Sequence, residues 1–242
     1  MSITRDNADH DRWAKQAHSY TSLTTDLSRD SEFLRSAGLV PNLLELIGDT
    51  EDKVVLDAGC GSGWLFDSLP ALERWECDLT PPPCRPGINT SRQDITQLTY
   101  RDETFDIAVS SLVLMWVEDL RKSLGELWRV TRPGGTMIVA LVHPYFAHAG
   151  TATAEGFLIN RALAKNKIYS DYYISGIIGP LVYYYRKPEE YYNEAIQAGW
   201  RLTHFRDWFL DMHDYETLAG GRQTETDRTG LVPTFSFFVG TK

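Results

Sequence analysis

The stretch "VVLDAGCGSGWL", residues 54–65, runs three apolar residues into an acid and then sets glycines at 59, 61 and 63. Val54, Val55 and Leu56 are aliphatic and partly β-branched, which suits a strand covered on both faces. The glycines let the chain turn sharply, take positive φ and approach a ligand with no Cβ in the way. "WLFDSL" then has helical spacing, Leu65 and Leu69 lying four apart, and Pro70 stops that helix early. The reading is a strand, a glycine turn and a helix start, the usual seat of a nucleotide-like ligand in an α/β sheet.

Spacing decides the ligand. A dinucleotide fingerprint, G-x-G-x-x-G, would need glycine where Trp64 or, counted from Gly61, Phe66 stands. A phosphate loop would need Gly-Lys-Ser/Thr, which does not follow. An acid at the strand end, Asp57, suits a cationic ligand and not a phosphate. On these residues "VVLDAGCGSG" resembles the first motif of the class I S-adenosylmethionine-dependent methyltransferases: two apolar residues, an acid, then three glycines at alternate positions. The resemblance implies S-adenosylmethionine as cofactor, with S-adenosylhomocysteine as product. It extends from about residue 54 to the C-terminus, interrupted at 144–187. "FDIAVSSLVLMW" and "LWRVTRPGG" look like the family's fourth strand and the helix and turn after it. "PTFSFFVGTK" looks like its last, antiparallel strand.

The rest of the chain fits a doubly wound, mostly parallel seven-stranded α/β sheet. Strands are expected at 54–58, 73–80, 87–95, within 105–116, at 136–143, in "WRLTHFRDWF" and in "TFSFFVGTK". "DLRKSLGELWRVT" and "PEEYYNEAIQAGW" read as helices, the second opened by Pro188 and closed by Gly199. "SEFLRSAG" and "PNLLELIG" read as two helices of an N-terminal cap spanning 1–50. Residues 144–187 break the rhythm, with a helix near 154–165 and then an aromatic, strand-like run. We read one domain: an N-terminal helical cap (1–50), a cofactor-binding core (54–143), a substrate-cap insertion (144–187) and the remaining sheet (188–242).

Composition narrows the partners. Among 242 residues, 33 acids outweigh 24 Lys plus Arg, a net charge of −9, which repels phosphate backbones and makes nucleic acid an unexpected partner. No apolar run approaches a membrane span. Cys60, Cys77 and Cys84 form neither a zinc knuckle nor a disulfide framework, and the polar start "MSITRDNADHDRW" has no apolar signal core, so a cytoplasmic location is expected. His213 in "DMHD" lacks a ligand set, so no metal is expected.

The resemblance places cofactor-binding residues at Asp57, Gly59, Cys60, Gly61, Gly63, Asp78, Leu79, Asp94, Ile95 and Ser110. Asp78 ends the second strand, 21 residues after Asp57, where a carboxylate can accept two ribose hydroxyls; Glu76 is its competitor. Asp94 matches an acid that accepts from the adenine amino group, with Ile95 packed on the ring. Tyr20, or Trp13, would cover the cofactor from the N-terminal helices. His143, at the end of the fifth strand, is the candidate general base, with Tyr145 beside it and His148 as a second choice. Trp116, or Leu112, would wall the acceptor cavity. Tyr173, Tyr183 and Tyr185 come from a tyrosine-rich run that reads either as an aromatic wall for a small molecule or as a homodimer contact.

The expected activity is methyl transfer from S-adenosylmethionine to an oxygen or nitrogen, with carbon a further choice, of a small-molecule acceptor, achieved mainly by alignment. Two alternatives stand beside it. One is a non-catalytic cofactor-binding or interaction protein. The other is a nicotinamide-linked oxidoreductase, which Trp64 disfavours. A methyltransferase acting on nucleic acid or protein is disfavoured by net acidity and by the insertion.

Overall fold

The computed structural model describes residues 33–144, 152–153, 156–157, 169–172, 181–210 and 233–242. Its frame is a seven-stranded sheet. The strands are β1 (Val54–Ala58), β2 (Glu73–Asp78), β3 (Asn89–Arg92), β4 (Phe105–Ser111), β5 (Thr131–Val142), β10 (Arg201–Trp208) and β11 (Phe235–Thr241), in spatial order β10-β11-β5-β4-β1-β2-β3. β1 pairs in parallel with both β2 and β4, while β11 runs antiparallel between β5 and β10. Strand order therefore reverses at β1, and a crevice opens outside the carboxyl ends of β1 and β4. The short strands β6 (Ala152–Thr153) with β7 (Gly156–Phe157), and β8 (Tyr169–Tyr172) with β9 (Leu181–Tyr184), form two antiparallel pairs.

Two apolar layers clamp the sheet. On one face lies α2 (Leu120–Val130), opened by Asp119, whose carboxylate accepts from Lys122 N at 2.9 Å. It buries Leu120, Leu124, Leu127 and Val130 against Ala108, Val139 and Leu141, with α3 (Pro188–Gln197) adding Tyr191 and Ala195. On the other face α1 (Val40–Ile47) buries Leu43 and Ile47 against Val55, Val109 and Ile138.

The helices depart from the sequence reading in three places. The two helices expected at 31–48 are one: a π-helical stretch, Leu34–Leu39, runs directly into α1. Pro41 has no N–H to give the turn before it, and the wider turn relieves the ring's clash with the preceding carbonyls. After the glycine turn only a single 3₁₀ turn forms, Trp64–Asp67, because Pro70 leaves no room for more. Gly156–Phe157 is strand, so the helix expected near 154–165 does not run through those residues.

No helix intervenes between β2 and β3 or between β3 and β4. Arg129 of α2 holds the second of these loops, donating to the carbonyls of Leu98 and Tyr100 at 2.8 Å each and pairing with Asp102 at 2.7 Å. The "RPGG" turn stays within the ladder as part of β5. Gly134, at φ 78°, donates to the Lys242 carbonyl at 3.0 Å, and the register against β4 shifts between Phe105 and Ile107.

Trp200, 2 % exposed, joins α2, α3 and β11, its backbone N–H donating to Ala195 O at 3.1 Å. Its indole N–H donates to Leu124 O at 3.0 Å, and bare Gly240 on β11 lies under its ring. Trp200→Ala is expected to lower stability by about 3–5 kcal/mol, the usual range for emptying an aromatic core site, as read by urea unfolding.

Candidate cofactor site

The three glycines serve different ends. All have positive φ, 85° at Gly59, 54° at Gly61 and 78° at Gly63. A Cβ at Gly59 would lie 2.3 Å from the Val113 side chain, which arrives from the far end of β4. A Cβ at Gly63 would lie 2.6 Å from the Arg85 guanidinium and 3.0 Å from the Glu76 carboxylate. Only Gly61 of the three faces open space, with nothing described within 4 Å. The turn is fastened to β2, since Gly59 N and Cys60 N both donate to Cys77 O, at 2.7 and 3.0 Å.

Acids line the strands beneath. Asp57 on β1 and Thr90 on β3 both register with Glu76 on β2. Glu76 is fully buried and engaged on both oxygens, accepting from Thr90 Oγ1 at 2.7 Å and from Arg85 at 2.7 Å. Its complete burial, beside a half-buried Asp78, removes it as competitor for a ligand. Asp57 is buried too, and its carboxyl is pushed from an ordinary 3.8 up to about 8, first by desolvation and then by Glu76 and Asp78. Asp78 sits at the rim, accepting from Gly61 N at 3.0 Å on one oxygen and from Thr80 N at 2.9 Å on the other. Thr80 Oγ1 donates to that second oxygen as well, at 3.3 Å, so the oxygen bound by Gly61 N is the one that keeps a further lone pair.

Asp94 closes an Asx turn, accepting from Thr96 N at 2.9 Å and Thr96 Oγ1 at 2.7 Å. Gln93 N donates to Asp78 O at 2.9 Å, so the two acids belong to one hydrogen-bonded edge. Ile95 is 7 % exposed and built into the apolar layer on the α2 face, leaving little of it for a ring to pack on. Leu79 is half-buried beside Asp78.

At the end of β4, Ser110 is fully buried and its hydroxyl has no partner among the described residues; nor has that of Ser111. Leu112 then takes φ 59°, a left-handed conformation uncommon for a bulky side chain, while its N–H donates to Ala140 O at 2.8 Å. The 3₁₀ turn Leu114–Trp116 follows. Met115 and Tyr185 are buried together, with Leu112, Trp116 and Val142 packed on them. Tyr185, 5 % exposed, is thus a packed wall rather than an open face. Arg186 fixes this wall by donating to Leu114 O at 3.2 Å, Val117 O at 2.7 Å and Glu118 O at 2.6 Å.

His143 is buried at the end of β5, its backbone N–H donating to Thr234 O at 2.9 Å. Burial holds its pKa below the ordinary histidine value, opposed by the charge of Asp207. Tyr20, Tyr145 and Tyr173 lie outside the described residues, as does the side chain of Tyr183. Sequence reasoning missed Arg85, Val113 and Arg186, whose partners lie far along the chain. The one local signal was an arginine inside the proline-rich "PPPCRPG".

Residues 56–139 match a methyltransferase domain family. Over 180 residues the chain is 31% identical to a malonyl-[acyl-carrier protein] O-methyltransferase of Pseudescherichia vulneris, covering 69% of this chain and 68% of that one. The chain belongs to the class I S-adenosylmethionine-dependent methyltransferases. Its likeness to the Serratia marcescens protein of the same description is 35% over 127 residues, 45% of this chain and half of that protein's length. A solved S-adenosylmethionine-dependent methyltransferase from Mesorhizobium loti superposes with a TM-score of 0.66 at 24% identity, covering 85% of this chain and 99% of that one.

S-adenosylmethionine is the cofactor of this methyltransferase family, and the residues present fit it. Gly61 offers bare backbone, Asp78 a carboxylate at the rim, and Ser110 a buried, orphaned hydroxyl. Gly61→Ala is expected to fold with a Tm close to wild type yet lose S-adenosylhomocysteine binding, because its methyl group enters open space at a strain of about 1 kcal/mol. Gly59→Ala, clashing with Val113, is expected to lose fold stability as well. Thermal melts with calorimetry separate the two.

Asp57 gives a second test. Its raised pKa means that the folded state keeps a proton which the unfolded chain releases near pH 4. That contribution to stability is therefore present below about pH 4 and lost as pH rises toward 8. Asp57→Asn is expected to melt above wild type at pH 8, the gap narrowing toward pH 4, while binding cofactor more weakly.

Proposed function

We propose that this chain transfers a methyl group from S-adenosylmethionine to an oxygen or nitrogen of a small-molecule acceptor, oxygen being favoured. The carrying observation is the open space at Gly61, whose N–H donates to Asp78, beside Asp94 and above the paired strands that carry Asp57 and Glu76. The named relatives, O-methyltransferases of malonyl-[acyl-carrier protein], support oxygen and suggest a carboxyl-bearing acceptor.

In this reading Asp78 holds the ribose hydroxyls, Asp94 the adenine amino group, and the backbone from Gly59 to Gly63, with Cys60 and Leu79, the body of the nucleoside. Asp57 lies beneath the turn, where the cationic end of the ligand would draw its carboxyl toward the ionised form, and Ser110 offers a hydroxyl without a partner among the described residues at the end of β4. Bound there, the cofactor supplies a methyl group already activated by positively charged sulfur. The chain's part is to align the acceptor and exclude water. Trp116, Met115 and Tyr185 wall the acceptor side, and the segment 144–187 caps it within a single domain.

A carboxylate acceptor has no proton to lose. A hydroxyl or ammonium acceptor does, and His143, held neutral by burial, is the group to take it. Labelled S-adenosylmethionine offered with carboxylates, phenols and amines tests the reading. Transfer to a carboxyl or hydroxyl oxygen is expected, Asp78→Ala weakening cofactor affinity at least about tenfold, as loss of a charge-assisted contact would. Failure of S-adenosylhomocysteine to bind the wild-type chain would overturn it.

A further inference from the structure

Resting on that reading of the cofactor site, we propose that Arg85 is a positioning residue that sets the shape of the glycine turn from beneath. It lies in the loop between β2 and β3, yet its guanidinium reaches three segments. Nη1 pairs with Asp67, in the 3₁₀ turn, at 2.7 Å. Nη2 pairs with Glu76, on β2, at 2.7 Å. Nη2 also donates to the carbonyl of Gly63, in the turn itself.

Local chain geometry explains why such a clamp is needed. The segment after the glycine turn is a single 3₁₀ turn ended by Pro70, too short to fix the turn by its own hydrogen bonds. The loop after β2 carries Pro81, Pro82 and Pro83 and forms no helix. Arg85 joins these two irregular segments. The planar fork of arginine serves several acceptors at fixed angles, which an ammonium cannot do.

Gly63 belongs to the same device. Its missing Cβ leaves the space in which the guanidinium meets both the carbonyl and Glu76. Pinning Gly63 O orients the peptide that ends the turn, while Gly63 N donates back to Cys60 O at 2.8 Å. The turn is thereby tied at both faces of one residue, two positions beyond the open backbone of Gly61. The Arg85 side chain is 26% exposed and that of Glu76 0%, so the pair is shielded from solvent screening.

The clamp has two separable parts, charge balance for Glu76 and a donor for Gly63 O. Arg85→Met removes both and leaves a buried carboxylate unpaired, so it lowers Tm and weakens binding together. The double variant Glu76→Gln with Arg85→Met restores charge balance without restoring the donor. We expect it to melt near wild type and still bind S-adenosylhomocysteine at least about tenfold more weakly, the scale of one lost charge-assisted hydrogen bond. Calorimetry and thermal melts on wild type, single and double variants give both readouts. A double variant that recovers wild-type affinity along with Tm would reduce Arg85 to a counter-ion and overturn the proposal. A wild-type chain that binds no S-adenosylhomocysteine would instead remove the cofactor reading, and the proposal with it.

Discussion

Two carboxylates, Asp57 and Glu76, stand side by side on adjacent parallel strands in the interior of this protein. Neither can be left charged and alone, since an isolated buried charge is among the costliest features a fold can carry. The two are handled differently. Glu76 is paired with Arg85 and accepts from Thr90. Asp57 keeps its proton until about pH 8. The turn above them is shaped by the same arrangement, because Arg85 reaches Glu76 and the Gly63 carbonyl at once. What stabilises the strands also sets the turn.

Arginine takes a structural role wherever the chain forgoes a helix. Arg85 braces the loop after β2, Arg129 the loop before β4, and Arg186 the carbonyls of the 3₁₀ turn after β4. Arg129 and Arg186 each present several donors to backbone carbonyls that no helix satisfies, the accounting that buried backbone demands, while Arg85 divides its donors between one carbonyl and two carboxylates. The connections from β2 to β3 and from β3 to β4 thus hold their shape without a helix.

The sheet was legible because its signals are local. "VVLDA" reads as β1 and "TMIVALV" as most of β5, and the antiparallel last strand followed from the family resemblance. Glycine at 59, 61 and 63 announced a turn, yet the reasons for two of them lie elsewhere in the chain, in Val113 and in Arg85. No spacing rule reveals such long-range packing. The merged helix at 34–47 was missed because proline and glycine punctuation suggested a break that a π-helical stretch accommodates. Asp78 is separated from Glu76 only by burial, Glu76 being shut inside the fold while Asp78 stays half-buried at the end of β2. On the acceptor side, Tyr185 gave its residue type correctly but not its burial, which depends on Met115 across the crevice edge.

The most direct measurement is the crystal structure of the chain grown with S-adenosylhomocysteine. The account predicts the nucleoside lying over Gly61, its ribose hydroxyls on Asp78 and its base edge toward Asp94. Density for a diphosphate in that crevice, or protein side chains filling the space above Gly61 with the nucleoside elsewhere, would contradict it.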